Sequence, residues 1–424
     1  MFLHIDIDAF FASAECAADP SLRGVPMAVG SRSNLEIFEK SRIETRLIND
    51  NSGAFVAPVF YTNRQRDFES YFVERIDGER KIRGIVTSAS YEARACGVKT
   101  AMPVAQALRL CPRMVVVPSH YRLYHTLSQR LYRFMQARIP AVEQYSIDEF
   151  FADVSGWVNP SDIESFAYDL QAEIKERFAL PVSIGISDAK WIAKLATEFA
   201  KPFGIYRVGD IDAFIESIPI EAFPGIGKGF RRRLRDHYIS TLGEVKRNRA
   251  LLYRWKKPGI QLYKRITGSD GEGVETERSL RKSIGISRTF DAIYDRDEVR
   301  RRLMVMARHI GFLVWDMGVN PTVYYMKINY EYGIKVKRNE TVDRIFSELL
   351  FKERIDRFYR EEALAGRGAV KLSLSVSGFT QYRFKTLSLL SLRDDFRRSM
   401  IDSAIGSLRG RFGIDIIKTA NELL

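Results

Sequence analysis

The sequence predicts an α+β chain of several domains, the first of them built on a split β-α-β sheet of the ferredoxin-like kind. Three observations carry that expectation. Residues 2–8 (FLHIDID) alternate in the period-two pattern of a strand. Strand-like runs at 143–155 and 181–187 flank a helical stretch at 161–177, so the order β-α-β-β-α-β can be traced across 2–187. After Gly204 the character changes to short helical pieces, then a polar stretch at 269–283, then mixed strands and helix.

The elements follow in order. Phe10 to Cys16 reads as a helix start, and residues 26–30 (PMAVG) as a short strand. Residues 31–83 are polar, charged and aromatic, with no long periodic pattern. Residues 85–112 read as two helix-like pieces separated by Gly97 to Pro103, inserted into the sheet order. Leu123, Leu127, Leu131 and Phe134 recur at helical spacing within 120–138. A further helix over 189–200 stops at Pro202, whose ring cannot continue it. Phe223-Pro-Gly-Ile-Gly227 lies between short helical pieces and reads as a helix-hairpin-helix. The stretch 284–376 combines strands (TVYYMKINYEYGI, VKLSLSVSGF) with a helix around 296–314, a separate α+β unit.

Bulk properties narrow the partner. The 424 residues carry a formal charge of +13, an excess that favours a polyanion, either nucleic acid or an acidic membrane surface. No apolar run approaches the ~18 residues of a membrane span. Met1 to Asp8 lacks the basic start and long apolar core of a signal peptide. Nucleic acid is the polyanion that remains, with no membrane partner expected. Cys16, Cys96 and Cys111 are widely spaced and form no zinc-binding pattern, which suits a reducing cytoplasm.

Carboxylates come next. Asp6 and Asp8 leave one face of their strand. Asp148 and Glu149, in YSIDEFFADVSG, are adjacent and serve one site only near a hairpin bend. Phosphoryl transfer uses divalent metal to neutralise the triphosphate and activate the attacking oxygen, and Mg²⁺ takes one or two carboxylates per ion. The bland reading is surface acids at strand ends. Against it, these acids sit among Ile5, Ile7, Ile147, Phe150 and Phe151, where an unpaired carboxylate is costly.

Other groups could hold a nucleotide or DNA. Phe10 and Phe11 follow the first carboxylates at a strand-to-helix turn, where free backbone N–H groups suit phosphate, although paired aromatics are commonly core. Tyr91 and Arg94, three apart, would share a helix face, with Arg offering a planar fork to phosphate. Lys194 and Lys201 are seven apart and can face one side. Gly225 and Gly227 let backbone N–H groups approach a DNA phosphate closely. Arg231, Arg232, Arg233 and Arg235 follow, and a helix would turn about two of them to DNA. Lys335 and Lys337 alternate onto one strand face, and a basic sheet along a groove gives salt-dependent binding.

Together, DIDAFFASAE at 6–15, SYEARACGVKTAMPVAQALRLCP at 90–112, YSIDEFFADVSG at 145–156, SIGIS…AKLATEFAKPFGI at 183–205, FPGIGKG at 223–229 and RKSIGISRTF at 281–290 resemble the Y-family (translesion) DNA polymerases, most closely the bacterial DNA polymerase IV subfamily. The motifs occur in the family's order and cover nearly the whole chain outside 31–83. The resemblance implies a right-hand polymerase of α+β multidomain type. Its parts would be a palm at 1–10 and 113–208, small fingers at 11–112 with an insertion at about 31–83, and a helical helix-hairpin-helix thumb at 209–270. A linker at 271–283, an α+β little finger at 284–385 and a C-terminal tail at 386–424 would follow.

By the same resemblance Asp6, Asp148 and Glu149 are the catalytic metal ligands for two Mg²⁺ ions, replaceable by Mn²⁺, with the Ile7 backbone carbonyl added. Asp8 matches a motif position without a firm ligand role. Phe10, Phe11, Ser88, Tyr91, Arg94 and Lys201 would bind the incoming deoxynucleoside triphosphate, and Phe11 would be the steric gate against a 2′-hydroxyl. Gly225, Gly227, Lys228, Arg281 and Lys282 would contact primer-template DNA. The enzyme would be a low-fidelity monomer of the cytoplasm, associated with the nucleoid when on DNA.

Departures mark what is particular to this chain. Ala189 stands before Lys190 where the family commonly has Asn. Thr386 to Leu390 takes the place of a sliding-clamp peptide, with both its Gln and aromatic anchors altered. The insertion carries Arg42, Arg46, Tyr61, Arg64, Arg66, Tyr71 and Phe72, a mixture suited either to stacking on DNA or to a solvated surface excursion. Two rival readings are a polymerase relative that only holds DNA and a nucleotide cyclase sharing the palm-like sheet. Retention of the three carboxylates opposes the first; the helix-hairpin-helix and basic third unit oppose the second.

Overall fold

A computed structural model describes residues 1–39, 45–48, 59–62, 67–76, 78–277, 281–380 and 389–423. The chain divides into two compact units, Met1–Ser31 with Asp67–Arg278, and Arg32–Arg66 with Ser279–Leu424.

The first unit is organised around a five-stranded sheet in the order Ile205–Arg207, Val182–Ser187, Phe2–Ile7, Glu149–Asp153, Ala141–Gln144. Without the parallel edge strand Ile205–Arg207, this is the ferredoxin-like order of fourth, first, third, second strand, with Tyr121–Arg138 and Ile163–Phe178 as crossover helices. The central Phe2–Ile7 strand is buried on both faces. Leu3, Ile5 and Ile7 join a core with Phe150, Ala152, Ile184 and Ile186. His4 and Asp6 face the other way, toward the Lys190–Ala200 helix. That helix lies close because residue 185 is glycine: a Cβ there would come within 2.1 Å of the Ala193 carbonyl oxygen.

The strand-like run over 143–155 is a hairpin, Ala141–Gln144 and Glu149–Asp153, folded back at residues 145–148. The first of the two helical pieces expected from residue 85 begins later. Ile85–Ala89 is a strand paired antiparallel with Met27–Ser31, and its run of β-branched Ile85, Val86 and Thr87 suits that pleat. The helix Tyr91–Ala95 starts only at Ser90, whose hydroxyl caps the Ala93 N–H at 3.3 Å. Val104–Leu110 is the second piece.

After Arg207 come short helices around Phe223–Gly227, packed on Phe223, Ile226, Leu234, Leu242 and Val245. The polar stretch that follows is pinned at its start. Glu272 accepts from Arg265 at 2.8 and 2.6 Å, from the Trp191 indole at 2.8 Å and from Gln261 at 3.1 Å.

The second unit has a four-stranded antiparallel sheet, order Ser283–Ile293, Ala369–Thr380, Asn320–Tyr330, Lys335–Thr341. The succession is again β-α-β-β-α-β, but here the last strand, not the first, is central. Helices Arg296–Asp316 and Glu348–Glu362 cover one face over Ile284, Ile286, Tyr324, Met326, Leu372 and Leu374. Glu348–Glu362 is a helix that the sequence pattern does not announce, because Glu348, Lys352 and Asp356 interrupt its buried face. A 24-residue helix, Leu389–Phe412, follows, so most of 386–424 is folded structure. The insertion is divided between units. Phe72 is buried in the first unit beside Gly30, whereas Ile37 and Phe38 are buried in the core of the second. Arg42, Arg64 and Arg66 lie outside the described residues. No helix among them is long and apolar enough to cross a membrane.

Candidate active site

Strand register brings the acids together. Asp6 is the direct cross-strand partner of Glu149, and the Ile7 N–H donates to the Asp148 carbonyl at 3.0 Å. The hairpin bend lets adjacent Asp148 and Glu149 serve one place. Ser146 shapes that bend: its hydroxyl oxygen accepts from the N–H groups of Asp148 at 3.2 Å and Glu149 at 3.1 Å, and it donates to the Asp148 carboxylate.

Two lysines balance the charge. Lys201, which ends the Lys190–Ala200 helix, stands 3.2 Å from Asp6, and Lys194 on the same helix bonds Glu149. Burial pushes the Asp6 carboxyl up, Lys201 opposes this, and Asp148 and Glu149 add to it, leaving it at about 7. Burial likewise raises Asp148. Buried His4 is held neutral, first by burial and then by Lys194 and Lys201; its Nδ1 pairs with the Thr197 hydroxyl at 2.8 Å.

Asp8 is committed elsewhere. Its carboxylate accepts from the Ser183 hydroxyl at 2.9 Å, the Phe203 N–H at 2.8 Å and the Tyr91 hydroxyl at 3.3 Å. It therefore ties the segment after Lys201 and the Tyr91 helix to the sheet.

A cleft of about 230 Å³ opens beside these groups, lined by Asp6, Ile7, Ala9, Phe10, Phe11, Thr87, Ser88, Tyr91, Arg94, Thr100, Asp148 and Lys201. Glu149 is not in its wall, since its carboxylate is turned to Lys194. The Phe11 ring stacks on Tyr124 at 4.3 Å and meets Tyr121 edge-on at 5.9 Å. Tyr124 is fixed by Glu15 at 2.5 Å. Phe10 is buried in the core, so what it offers the cleft is main chain. Ala9, left-handed at φ 46°, starts the Phe10–Ala18 helix without a side-chain cap, so its first N–H groups have no intrahelical partner. The Ser88 hydroxyl donates to the Ala9 carbonyl at 3.1 Å, and Arg94 lies over the Tyr91 ring at 4.9 Å.

Oxygen donors from Asp6, the Ile7 carbonyl, Asp148 and Glu149 suit a hard divalent cation. The raised Asp6 carboxyl reflects burial first and the neighbouring Asp148 and Glu149 after it, and Lys201 only partly offsets them. Among the described residues no three His, Cys, Asp or Glu side chains already converge as a metal shell; Glu149 is held by Lys194 and Asp148 by Ser146.

The remaining expected residues are not in the wall of this cleft. Gly225 is left-handed at φ 99°, and Gly227 opens the Lys228–Arg235 helix. A Cβ at either glycine would meet nothing within 4 Å. Arg231 and Arg235 engage Glu221 at 3.8 and 2.6 Å, Arg233 lies 5.9 Å over Trp255, and Arg232 is exposed. Arg281 and Lys282 begin the described part of the second unit's chain after the linker.

A model of the impB/mucB/samB family matches residues 5–198. DNA polymerase IV of Vibrio cholerae is 30% identical over 293 residues, 68% of each chain. The chain belongs to the Y-family of DNA polymerases. This polymerase is also 26% identical over 438 residues to DNA polymerase IV of Bacillus anthracis, across 100% of its own length and 94% of the relative's. A solved Y-family chimera of Dbh and Dpo4 matches it with a TM-score of 0.69 at 22% identity, over 89% of this chain and 98% of the other. DinB from Sulfolobus solfataricus matches with a TM-score of 0.52 at 21% identity over the same shares, 89% and 98%. At such identities the structural likeness speaks to the fold. The family makes the chain a DNA-directed DNA polymerase of the translesion type, and its chemistry metal-dependent.

Several residues of the polymerase site gave no sequence signal. Ser146, Ser183 and Thr197 act through hydrogen bonds to His4, Asp8 and Asp148, and only the folded sheet brings the distant ones near. Thr87 and Thr100 join the cleft wall in the same way.

Proposed function

We propose that this polymerase adds deoxynucleotides to a primer 3′ end by two-metal phosphoryl transfer, with Asp6, Asp148, Glu149 and the Ile7 carbonyl as ligands. The observation that carries the reading is the register of Asp6 against Glu149, next to Asp148, at a cleft that also holds Phe11, Tyr91, Arg94 and Lys201. Two Mg²⁺ ions, or Mn²⁺ in their place, would neutralise the triphosphate and favour ionisation of the primer hydroxyl. Glu149 would leave Lys194 and Asp6 would loosen from Lys201 to take up that role.

The chain's own groups do the rest. Arg94, Tyr91, Lys201 and the free N–H groups at Phe10 and Phe11 bind and orient the triphosphate. Ser88 holds the Ala9 turn that aims those N–H groups. Phe11, backed by Tyr124, lies flat under the sugar and excludes a 2′-hydroxyl.

DNA is gripped without reading sequence. Gly225, Gly227 and Lys228 receive a backbone phosphate at an open turn, with exposed Arg232 nearby. The sheet face of the second unit opposite its two helices, uncovered among the described residues, supplies the larger surface. It presents Ser283, Ser287, Thr289, Ser373, Ser375 and Ser377 with Lys371, Lys327, Lys335 and Lys337. Lys327 is paired directly with Lys337, an arrangement that costs energy until an anion relieves it. Arg281 and Lys282 extend this basic edge. We assign palm, fingers, thumb and little finger to 1–10 with 113–208, 11–112, 209–270 and 284–385.

A monomer working in the cytoplasm, and at the nucleoid when on DNA, fits this reading. Clamp binding would rest on Thr386–Leu390, of which residues 386–388 lie outside the described residues. Exposed Leu390 is the apolar group such a contact would use.

Primer extension on undamaged and lesion-bearing templates, with Mg²⁺ and with chelator, tests the proposal. Extension that requires both DNA and metal supports it. Consumption of nucleoside triphosphate without DNA would favour the cyclase reading, and binding without extension the inactive one.

A further inference from the structure

Two of the three cysteines close successive helices of the first unit: Cys96 follows Tyr91–Ala95, and Cys111 follows Val104–Leu110. At the first helix end the Val98 N–H turns back to the Ala93 carbonyl at 3.2 Å, so the chain folds over Ala93. Ala93, Val98, Ala107 and Cys111 then pack in one small core. Cys111 is buried at its edge, whereas Cys96 is exposed. The two side chains meet there. Burial raises the Cys111 thiol above its ordinary value, and the Cys96 thiol, hydrogen-bonded to it, raises it further. Packing accounts for Cys111 but not for an exposed thiol set against it. The same stretch walls the cleft: Tyr91 and Arg94 precede Cys96, and Thr100 lies between the two cysteines.

We propose that Cys96 and Cys111 form a reversible oxidation site, a dithiol that hydrogen peroxide converts to a disulfide, weakening nucleotide binding at the cleft beside it. Formation of the bond is independent of the catalytic reading. Its effect on nucleotide rests on that reading, with Tyr91 and Arg94 as triphosphate groups. Exposed Cys96 is the sulfur that peroxide reaches. Its thiolate attacks one peroxide oxygen, the O–O bond breaks and hydroxide leaves, giving a sulfenic acid. The Cys111 sulfur then attacks the Cys96 sulfur, the S–O bond breaks, and water leaves as Cys111 gives up its proton. Two thiols lose two electrons and two protons, and hydrogen peroxide becomes two waters. In a reducing cytoplasm the pair stays a dithiol; the disulfide forms under peroxide and is undone by thiol reductant. The bond sets the sulfurs about 2.05 Å apart, inside any nonbonded contact, so the two helix ends are drawn together. Cys96 is joined directly to the helix of Tyr91 and Arg94, and Arg94 is aimed by its bond to the Ala89 carbonyl at 3.0 Å, so the shift reaches the cleft wall.

The test treats the full chain with a small excess of hydrogen peroxide, blocks free thiols by alkylation, and digests the denatured protein with trypsin. Mass spectrometry should find peptides 95–99 and 110–113 joined, with Cys16 alkylated. In primer extension the oxidised chain should show a KM for deoxynucleotide raised by about tenfold, with kcat changed less. Dithiothreitol should restore the KM, which separates the disulfide from methionine oxidation, since that reagent does not reverse a sulfoxide. Cys96→Ser, at an exposed position, should keep its KM through the same treatment. Alkylated Cys96 and Cys111 with no joined peptide overturn the site, a result that needs no variant. A joined peptide with unchanged KM overturns the effect on nucleotide. Arg94→Ala in the reduced chain then tells which premise failed: a raised KM there keeps the catalytic reading, and an unchanged one removes it.

Discussion

Asp6 and Glu149 lie directly opposite each other on antiparallel strands, and one helix sends a lysine to each: Lys201, 3.2 Å from Asp6, and Lys194, bonded to Glu149. The lysines supply the positive charge that buried carboxylates require. On the proposed reading, Lys194 and Lys201 would swing toward triphosphate oxygens and release the carboxylates to metal.

Asp148→Asn and Glu149→Gln should each slow primer extension by about 10³-fold, because the proposed metal ligand loses its charge while the shape is kept. DNA affinity should stay within a few fold, as the proposed grip uses other residues. Single-turnover extension and a binding titration on the same preparations check this. Wild-type extension by either variant would remove that residue from the ligand set.

Phe11→Ala should raise the ratio of ribonucleotide to deoxynucleotide incorporation efficiency by roughly tenfold or more, since a methyl leaves the space the ring filled. Tyr124, stacked behind the ring and fixed by Glu15, should keep the cavity open. The readout is kcat/KM for matched ribo- and deoxynucleotides. An unchanged ratio would dismiss Phe11 as the gate.

Glu272 gives a pH-dependent contribution to the anchoring of the linker. Burial pushes its carboxyl up, but hydrogen bonds from Arg265, Gln261 and Trp191 outweigh this and hold it at about 2, below its ordinary 4.5. The stabilisation is thus fully present above pH 4.5 and is lost as pH falls toward 2. Glu272→Gln should cost about 1 kcal/mol at neutral pH, allowing for solvent screening of a partly exposed group. Denaturant melts of both proteins should draw together as pH falls from 4.5 and converge near pH 2; a gap that persists there would show that the carboxylate charge is not what anchors the linker.

Much of this was legible because local pattern and global fold agree. Alternation in FLHIDID marks the central strand, and adjacent Asp148 and Glu149 are usable only at a bend, where the chain does turn. Partners supplied by distant residues were not legible. Ser183 and Phe203 reach Asp8 from far along the chain, so a motif aspartate became a tie rather than a free ligand. Ile85–Ala89 is too short for its period to decide strand from helix, and pairing with Met27–Ser31 decides it. Nothing in residues 32–39 announces that Ile37 and Phe38 complete a core formed some 250 residues later; the bond to Arg301 exists only in the fold.

Lys327→Ala with Lys337→Ala should reduce the salt dependence of DNA binding. Each phosphate that is no longer neutralised takes about 0.9 from the log–log slope, so the pair should take up to about 1.8. Affinity should fall alike for unrelated sequences, as phosphate contacts carry no base information. Removing like charges that face each other should leave the free protein no less stable. Binding isotherms across a salt series decide it; an unchanged slope would place the grip off this sheet face.

Residues 413–424 should behave as core rather than tail. Arg308, 1% exposed, pairs with Asp415 at 2.7 Å and Glu422 at 2.6 Å. Lys352 joins Glu422 and Glu348, both at 2.7 Å, and the Thr419 hydroxyl at 3.1 Å. Burial raises the Glu422 carboxyl, but Arg308 and Lys352 more than compensate and hold it below its ordinary value. Ile414 adds a fully enclosed apolar side chain. Ending the chain at Phe412 would leave the Arg308 guanidinium buried without either carboxylate, a loss of about 3–5 kcal/mol. Glu422→Gln should cost less than the truncation, since Asp415 still faces Arg308 and the amide oxygen can still accept from Lys352. Denaturant unfolding of the three proteins, followed at Trp315 in the second unit, gives the comparison. A truncated chain with the full-length unfolding midpoint would show that the ion network is dispensable and that the last twelve residues merely decorate the helices they touch.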